Sequence, residues 1–234
     1  MLRQVSLAGL AMLIAATLDA HADAPSNHAG ILVVGPEMQL ATRSAAGDAL
    51  TRPDWSRTAQ QNVRHCLEDR LRGSNRPFQF VDPRALMQGR SGQLLRLHAI
   101  VADAALDATR QRGAGRPRWS IGPGVQELAD AYHADYALIL GGDGIYASAP
   151  SEAIAFASNL RTAASAATGN AGAAAALGLH ALRLGGNGRR MLASLVDLHS
   201  GDIIWIRQVN GSDDPRTPEG ARSLVRDLLR NSPL

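Results

Sequence analysis

Five short apolar runs, each stopped by turn residues, constrain this chain most. They are Ile31-Leu32-Val33-Val34, Phe78-Gln79-Phe80-Val81, Tyr136-Ala137-Leu138-Ile139-Leu140, Met191 to Leu198 and Ile203 to Val209. Runs of this length, closed by Gly, Pro, Asp and Ser, read as strands. The segments between most of them carry apolar residues at spacings of three and four, which is the period of a helix with one buried face. The resulting order is strand, helix, strand, helix, helix, strand, insertion, hairpin, helix. Alternation of this kind predicts an α/β fold, a mixed β-sheet packed by helices in two or three layers.

The boundaries follow from local chemistry. Gly35-Pro36 is expected to end the first strand, and Asp82-Pro83 the second. Pro53-Asp54 opens a helix with Asp54 as its cap, and Gly73 closes it. Its inward stripe is Trp55, Ala59, Val63, Cys66, Leu67 and Leu71, so Cys66, the one cysteine of the chain, is expected to be buried and inert. A second helix is expected to bury Leu94, Leu97, Val101, Ala104, Ala105 and Ala108. A short third helix marked by Val125, Leu128, Ala129 and Tyr132 leads into the strand at Tyr136. Gly141-Gly142-Asp143-Gly144 then reads as a bulge or tight turn rather than a phosphate loop, because no helix start follows it. His199-Ser200-Gly201-Asp202 joins the last two strands as a hairpin, with Gly201 at a positive φ and Trp205 covering the sheet. Thr217-Pro218-Glu219 starts the last helix with a capping hydroxyl, a proline in the first turn and an acid beside the positive dipole end.

The first 22 residues read differently. Met1-Leu2-Arg3 is a short positive head, Val5 to Leu18 is apolar except for Ser6 and Thr17 and carries no charge, and Ala20-His21-Ala22 offers small residues at a cleavage site. This predicts an export signal removed after Ala22, a single α/β domain over 23–234, and a periplasmic or secreted location. Residues 151–186, rich in Ala and Gly, form an insertion within that domain, expected to be helical. All 24 basic residues are Arg, which removes Schiff-base lysines and the P-loop lysine from consideration. One cysteine excludes an intrachain disulfide.

Chemistry-bearing residues are sparse. No Gly-x-Ser-x-Gly elbow occurs, and Asp197 and His199 sit in one hairpin at a spacing that suits neither a nucleophile–base pair nor a metal clamp. The histidines are scattered, so neither a metal nor another cofactor is expected; His98 and His133 lie near apolar helix faces as structural histidines do. Arg110, Arg112, Arg116 and Arg118 crowd one loop that ends at Trp119. That loop is the candidate contact for an acidic envelope partner or a membrane surface, and an export signal leaves nucleic acid out.

Two stretches carry a family resemblance. Ser194-Leu195-Val196-Asp197-Leu198-His199-Ser200-Gly201-Asp202-Ile203-Ile204-Trp205 resembles a hairpin of periplasmic proteins related to the curli-export lipoprotein. Val125 to Ala129, followed by Ala134-Asp135-Tyr136-Ala137-Leu138, is similar to that group's helix leading into a strand that begins Asp-Tyr. The resemblance implies a fold like the TolB amino-terminal domain (an anticodon-binding-like sheet with helices) and a role in binding or assembly at the outer membrane. It makes Asp197, Gly201, Asp202 and Trp205 structural turn residues. The lipidated cysteine of the group is absent here. The expected function is therefore a non-catalytic envelope protein, able to form homo-oligomers; the alternative is an exported hydrolase whose site assembles only in the fold.

Overall fold

The first strand does not stop at Gly35-Pro36. In the computed structural model, which describes residues 30–43, 48–110, 118–147, 189–211 and 213–234, β1 runs from Ile31 to Arg43. Pro36 lacks an N–H, so the ladder to the neighbouring strand slips between Val34 and Glu37, but pairing then resumes as far as Arg43. The expected leader at 1–22 and the insertion at 151–186 lie outside the described residues.

Among the described residues six strands form one mixed sheet: β1, β2 (Ala49–Thr51), β3 (Phe78–Val81), β4 (Tyr136–Ala147), β5 (Arg189–Asp197) and β6 (Ile203–Gly211). The order is β2-β1-β4-β5-β6, with β3 pairing the first four residues of β1. β1, β3 and β4 are parallel; β5 and β6 are the antiparallel hairpin anticipated from the sequence, and β2 is a short strand that was not.

β4 is also longer than expected. Gly141-Gly142-Asp143-Gly144 is continuous strand, paired on both sides. The glycines there serve close packing rather than a turn. A Cβ on Gly142 would lie 2.8 Å from the Arg190 carbonyl oxygen, and one on Gly144 2.8 Å from Arg189 Cγ.

Among the described residues four α-helices cover the two faces: α1 (Pro53–Arg72) and α4 (Pro218–Leu228) on one, α2 (Gly89–Arg110) and α3 (Gln126–Tyr132) on the other. The fold is thus three-layered. Alternation along β1 and β4 divides their side chains between two cores. Ile31, Val33, Leu138 and Leu140 meet Val63, Leu67, Leu224 and Leu228 on the first face. Leu32, Val34, Ala137 and Ile139 meet Leu95, Leu128 and Ala129 on the second. Burying such side chains contributes about 1.5–3 kcal/mol each for the larger ones, which is what fixes the strand register.

The helix ends show where local rules hold. Thr217 caps α4, its hydroxyl accepting from the Gly220 amide at 3.1 Å. Asp54, by contrast, does not cap α1. Pro53 occupies the first turn and Arg52 the cap position, so Asp54 falls inside the helix and pairs with the Arg52 guanidinium at 2.8 Å.

Two buried stripes also need correction. α2 buries Leu95, His98, Ala99, Ala102, Ala105 and Leu106, whereas Leu97 is 41% exposed and Ile100 55%. Of the six residues expected on the inner face only Ala105 is fully covered, because the helix is apolar over most of its girth and the buried arc centres on a histidine. Cys66 is half-buried rather than buried, at the margin of the first core beside α4; burial nonetheless pushes its thiol up, away from the reactive thiolate.

Candidate functional site

The loop and the turn singled out from the sequence meet in space. Asp197 closes the hairpin: its Oδ1 accepts from the amides of His199 at 2.7 Å and Ser200 at 3.1 Å. Gly201 has φ +80° and its amide donates to the Asp197 carbonyl at 2.8 Å. Against this turn lies the end of the Arg-rich loop. The Trp119 carbonyl accepts from the Ile203 amide at 2.7 Å, the Ile121 amide donates to Gly201 at 2.9 Å, and Ser120 bridges Asp202. Arg118 adds a loose pair with Asp202 at 3.6 Å. Trp119 is half-buried and enters this arrangement through its backbone. Arg112 and Arg116, and the side chain of Arg110, lie outside the described residues.

His199 finds its partner far along the chain. Its Nε2 lies 3.0 Å from Asp135 Oδ1, while Asp135 Oδ2 accepts from the Gly30 amide at 2.9 Å. The Asp135 hydrogen bond pushes His199 up, and the same bond holds the Asp135 carboxyl down. The pair is largely exposed and ties the hairpin turn to the starts of β1 and β4. His133, the other histidine read as structural, is exposed and ends α3 in the left-handed conformation, φ 49°.

Trp205 is half-buried and packs on the core shared by α1 and α4. A fully buried tryptophan truncated to alanine costs about 3–5 kcal/mol. With only part of its surface covered, Trp205→Ala is expected to cost about 2 kcal/mol, read from the urea midpoint at constant m-value.

Inside the fold, His98 and Ser194 form a pair that sequence spacing did not show. His98 Nε2 lies 2.6 Å from Ser194 Oγ, and the two residues are 1% and 0% exposed. Burial lowers the imidazole pKa to about 4, so it is neutral at physiological pH. The adjoining cavity, bounded by His98, Glu37, Leu95 and Ile139, is about 20 Å³. That is room for one water at most.

A second cluster missed by the sequence reading stands where β4 ends and β5 begins. Trp55 and Tyr146 meet edge to face with centroids 5.4 Å apart. The Arg216 guanidinium sits 4.2 Å from the Trp55 ring centre and 4.0 Å from that of Tyr146. Arg52 lies 4.0 Å over Trp55 and Arg189 4.8 Å over Tyr146. Asp214 anchors the group, receiving Arg216 at 2.6 Å and the Tyr146 hydroxyl at 2.8 Å. Burial pushes the Asp214 carboxyl up, but the hydrogen bonds from Arg216 and Tyr146 outweigh it and leave the pKa at about 2. Burial and the same carboxylate push Tyr146 up to about 12. Such contacts are worth about 0.5–2 kcal/mol each, and here they close the end of the sheet. The residues come from four separate stretches, so no local motif could announce them.

Among the described residues no three His, Cys, Asp or Glu side chains gather as a metal would require, and no helix is long and apolar enough to cross a membrane.

Sheet topology and helix placement define a three-layer α/β domain with a mixed six-stranded sheet. No family model matches the chain, and no curated protein matches it. Solved structures do show likenesses. One is the PelC dodecamer from Paraburkholderia phytofirmans, 14% identical, TM-score 0.38, covering 90% of this chain and 92% of that one. A leucine-to-methionine variant of the same dodecamer gives 14% and 0.37, covering 90% of each chain. Another is lipoprotein GNA1162 from Neisseria meningitidis, 12% identical, TM-score 0.33, covering 87% and 96%. Identities and scores at this level assign no family.

Proposed function

We propose that this chain is an exported, non-catalytic binding or assembly protein of the bacterial cell envelope, contacting a membrane surface or an acidic envelope partner through its Arg-rich loop. The observation that carries the reading is the docking of that loop's end on the hairpin turn. Trp119 and Ile121 are hydrogen-bonded to Ile203 and Gly201, so the loop leaves from a rigid end of the sheet. A charged loop held at a fixed exit loses less freedom on binding than a free one, and Arg is suited to phosphate and carboxylate groups. The apolar, uncharged run from Val5 to Leu18, expected of an export signal, and the hairpin's resemblance to the curli-export and TolB-like group agree with an envelope location. Assembly into homo-oligomers fits the same reading.

The test is replacement of Arg110, Arg112, Arg116 and Arg118 together by Gln. Co-sedimentation with isolated envelope membranes is expected to fall, and the parent's binding to weaken with added salt, since exposed charges are screened over about 8–10 Å at physiological ionic strength. A quadruple variant that sediments like the parent at low salt would remove the loop from the interaction.

A hydrolase is the second reading, favoured by the 2.6 Å contact between His98 and Ser194. Both side chains are enclosed, and the cavity beside them is far smaller than a substrate. Those facts support a core hydrogen bond. Labelling of Ser194 by a fluorophosphonate would decide for the enzyme.

A further inference from the structure

The chain reverses its winding at β1. From β1 it crosses over the first face by α1 to β3, and from β3 it returns over the second face by α2 and α3 to β4, on the other side of β1. Adjacent parallel strands β1 and β3 therefore send the chain to opposite faces. In open α/β sheets the crevice outside such strand ends is where ligands bind. A cleft of about 280 Å³ opens beyond the end of β3, beside the Gly35-Pro36-Glu37 stretch of β1, which itself runs on to Arg43. Its origin is a gap in the sheet: β3 leaves β1 after Val34, and β2 joins only at Ala41.

The polar groups that line the cleft come from three elements. Glu37 belongs to β1, Asp82 and Arg84 follow β3, and Arg57, Gln61 and Arg64 share one face of α1 at spacings of three and four. Several are already occupied. Arg64 pairs with Glu68 at 3.1 Å and stacks 4.5 Å from the Phe80 ring centre, and Asp82 accepts from the Arg84 amide at 2.9 Å. The Arg57 guanidinium and the Gln61 amide have no hydrogen-bond or ion-pair partner among the described residues, and the Arg84 guanidinium makes no hydrogen bond there, though its charge acts on Glu37. Burial pushes the Glu37 carboxyl up while Arg84 pulls it down.

We propose that this cleft binds a small soluble oxyanion, inorganic phosphate or a phosphate ester, between the guanidinium forks of Arg57 and Arg84, with the Gln61 amide as a neutral donor. Two planar forks from different elements match an oxyanion with several acceptor oxygens, and hydrogen bonds between charged groups are the strong ones. Both arginines reach solvent, which gives the ligand a way in. This site is independent of the Arg-rich loop, whose described end, Arg118 and Trp119, docks on the hairpin turn at the other end of the sheet.

The experiment is a titration of the isotope-labelled full chain with inorganic phosphate at fixed ionic strength, followed by NMR at the Gln61 amide and the arginine Nε–H groups. Saturable shifts at Gln61, Arg57 and Arg84 are expected. The double variant R57Q/R84Q should weaken binding at least about tenfold, with an unchanged thermal melt. R70Q/R222Q, which removes two arginines from the groove between α1 and α4, should bind like the parent. If the double variant melts early, R57Q and R84Q are read singly. Shifts that never saturate, equal losses in the two double variants, or binding of anionic vesicles without any response to phosphate would each overturn the proposal.

Discussion

Gly201→Ala is expected to destabilise the domain by on the order of 3 kcal/mol, measured by urea unfolding. Gly201 sits at φ +80°, and a Cβ there would lie 2.2 Å from the Gly122 carbonyl oxygen and 2.9 Å from its nitrogen. The left-handed conformation alone costs a residue with a Cβ about 1–2 kcal/mol. The rest comes from the clash, which is backbone against backbone and has no flexible side chain to absorb it. Relief requires the 118–122 segment to lift from the hairpin, breaking the 2.9 Å bond from the Ile121 amide to Gly201 and the bridge at Asp202. Each lost bond adds about 0.5–1.5 kcal/mol. Gly122→Ala is the control. Its φ is also positive, +82°, in an extended region that residues with a Cβ rarely enter, but a Cβ there meets nothing within 4 Å. Its loss comes from the backbone region alone, about 1–2 kcal/mol, and should stay below that of Gly201→Ala. Equal losses in the two variants would mean that the loop end does not rest on the turn. Because the same segment carries Arg118 and Trp119, Gly201→Ala should also weaken envelope association if the loop mediates it.

The legible parts of this fold are those where one local rule suffices. Alternating or continuous apolar runs placed β3, β5, β6, the first four residues of β1 and the first five of β4. The Thr217 cap and the Gly201 turn followed from side-chain and backbone chemistry within four residues. What stayed hidden depends on neighbours far away in sequence. Pro36 and the Gly141–Gly144 stretch look like stops. Yet β1 and β4 support each other through them, and the glycines admit Arg189 and Arg190 of β5 at close range. The α2 stripe was misplaced because both of its faces are apolar and the decisive inward residue, His98, is polar by composition. Its partner Ser194 lies 96 residues away. The switch-point cleft and the Trp55–Tyr146 cluster have no sequence signature, since each is assembled from residues on three or more elements. The Arg-rich loop was visible as charge density. Its docking on the hairpin was not.

Stability between pH 7 and pH 4 is expected to vary little in the parent and strongly, in opposite senses, in two variants. His98 has its pKa lowered from 6.5 to about 4 by burial. Below pH 6.5 the unfolded chain therefore takes up a proton that the folded chain refuses, and stability falls towards pH 4, by about 3 kcal/mol at 1.4 kcal/mol per unit. Asp143 behaves in the opposite way. Burial, only partly offset by Arg190, raises its pKa from 3.8 to about 6, and its side chain is 20% exposed. As pH falls below 6 the folded chain takes up a proton that the unfolded chain binds only near 3.8, so stability rises by a comparable amount, somewhat reduced by the residual solvent contact. Glu37, raised by burial, and His199, raised by its hydrogen bond to Asp135, add in the same sense as Asp143. Asp214, held at about 2, contributes stability that is lost only below the ordinary carboxylate range and stays out of the window. Asp143→Asn should leave the histidine's effect exposed, with a loss of about 3 kcal/mol between pH 7 and pH 4. His98→Gln, whose amide can still bond Ser194, should leave the carboxylates' effect and gain stability over the same interval. Urea midpoints at pH 7, 5.5 and 4 measure all three proteins. Parallel curves for the parent and His98→Gln would show that the imidazole is not held neutral in the core. The bond to Ser194 would then have to be read as one from a charged histidine.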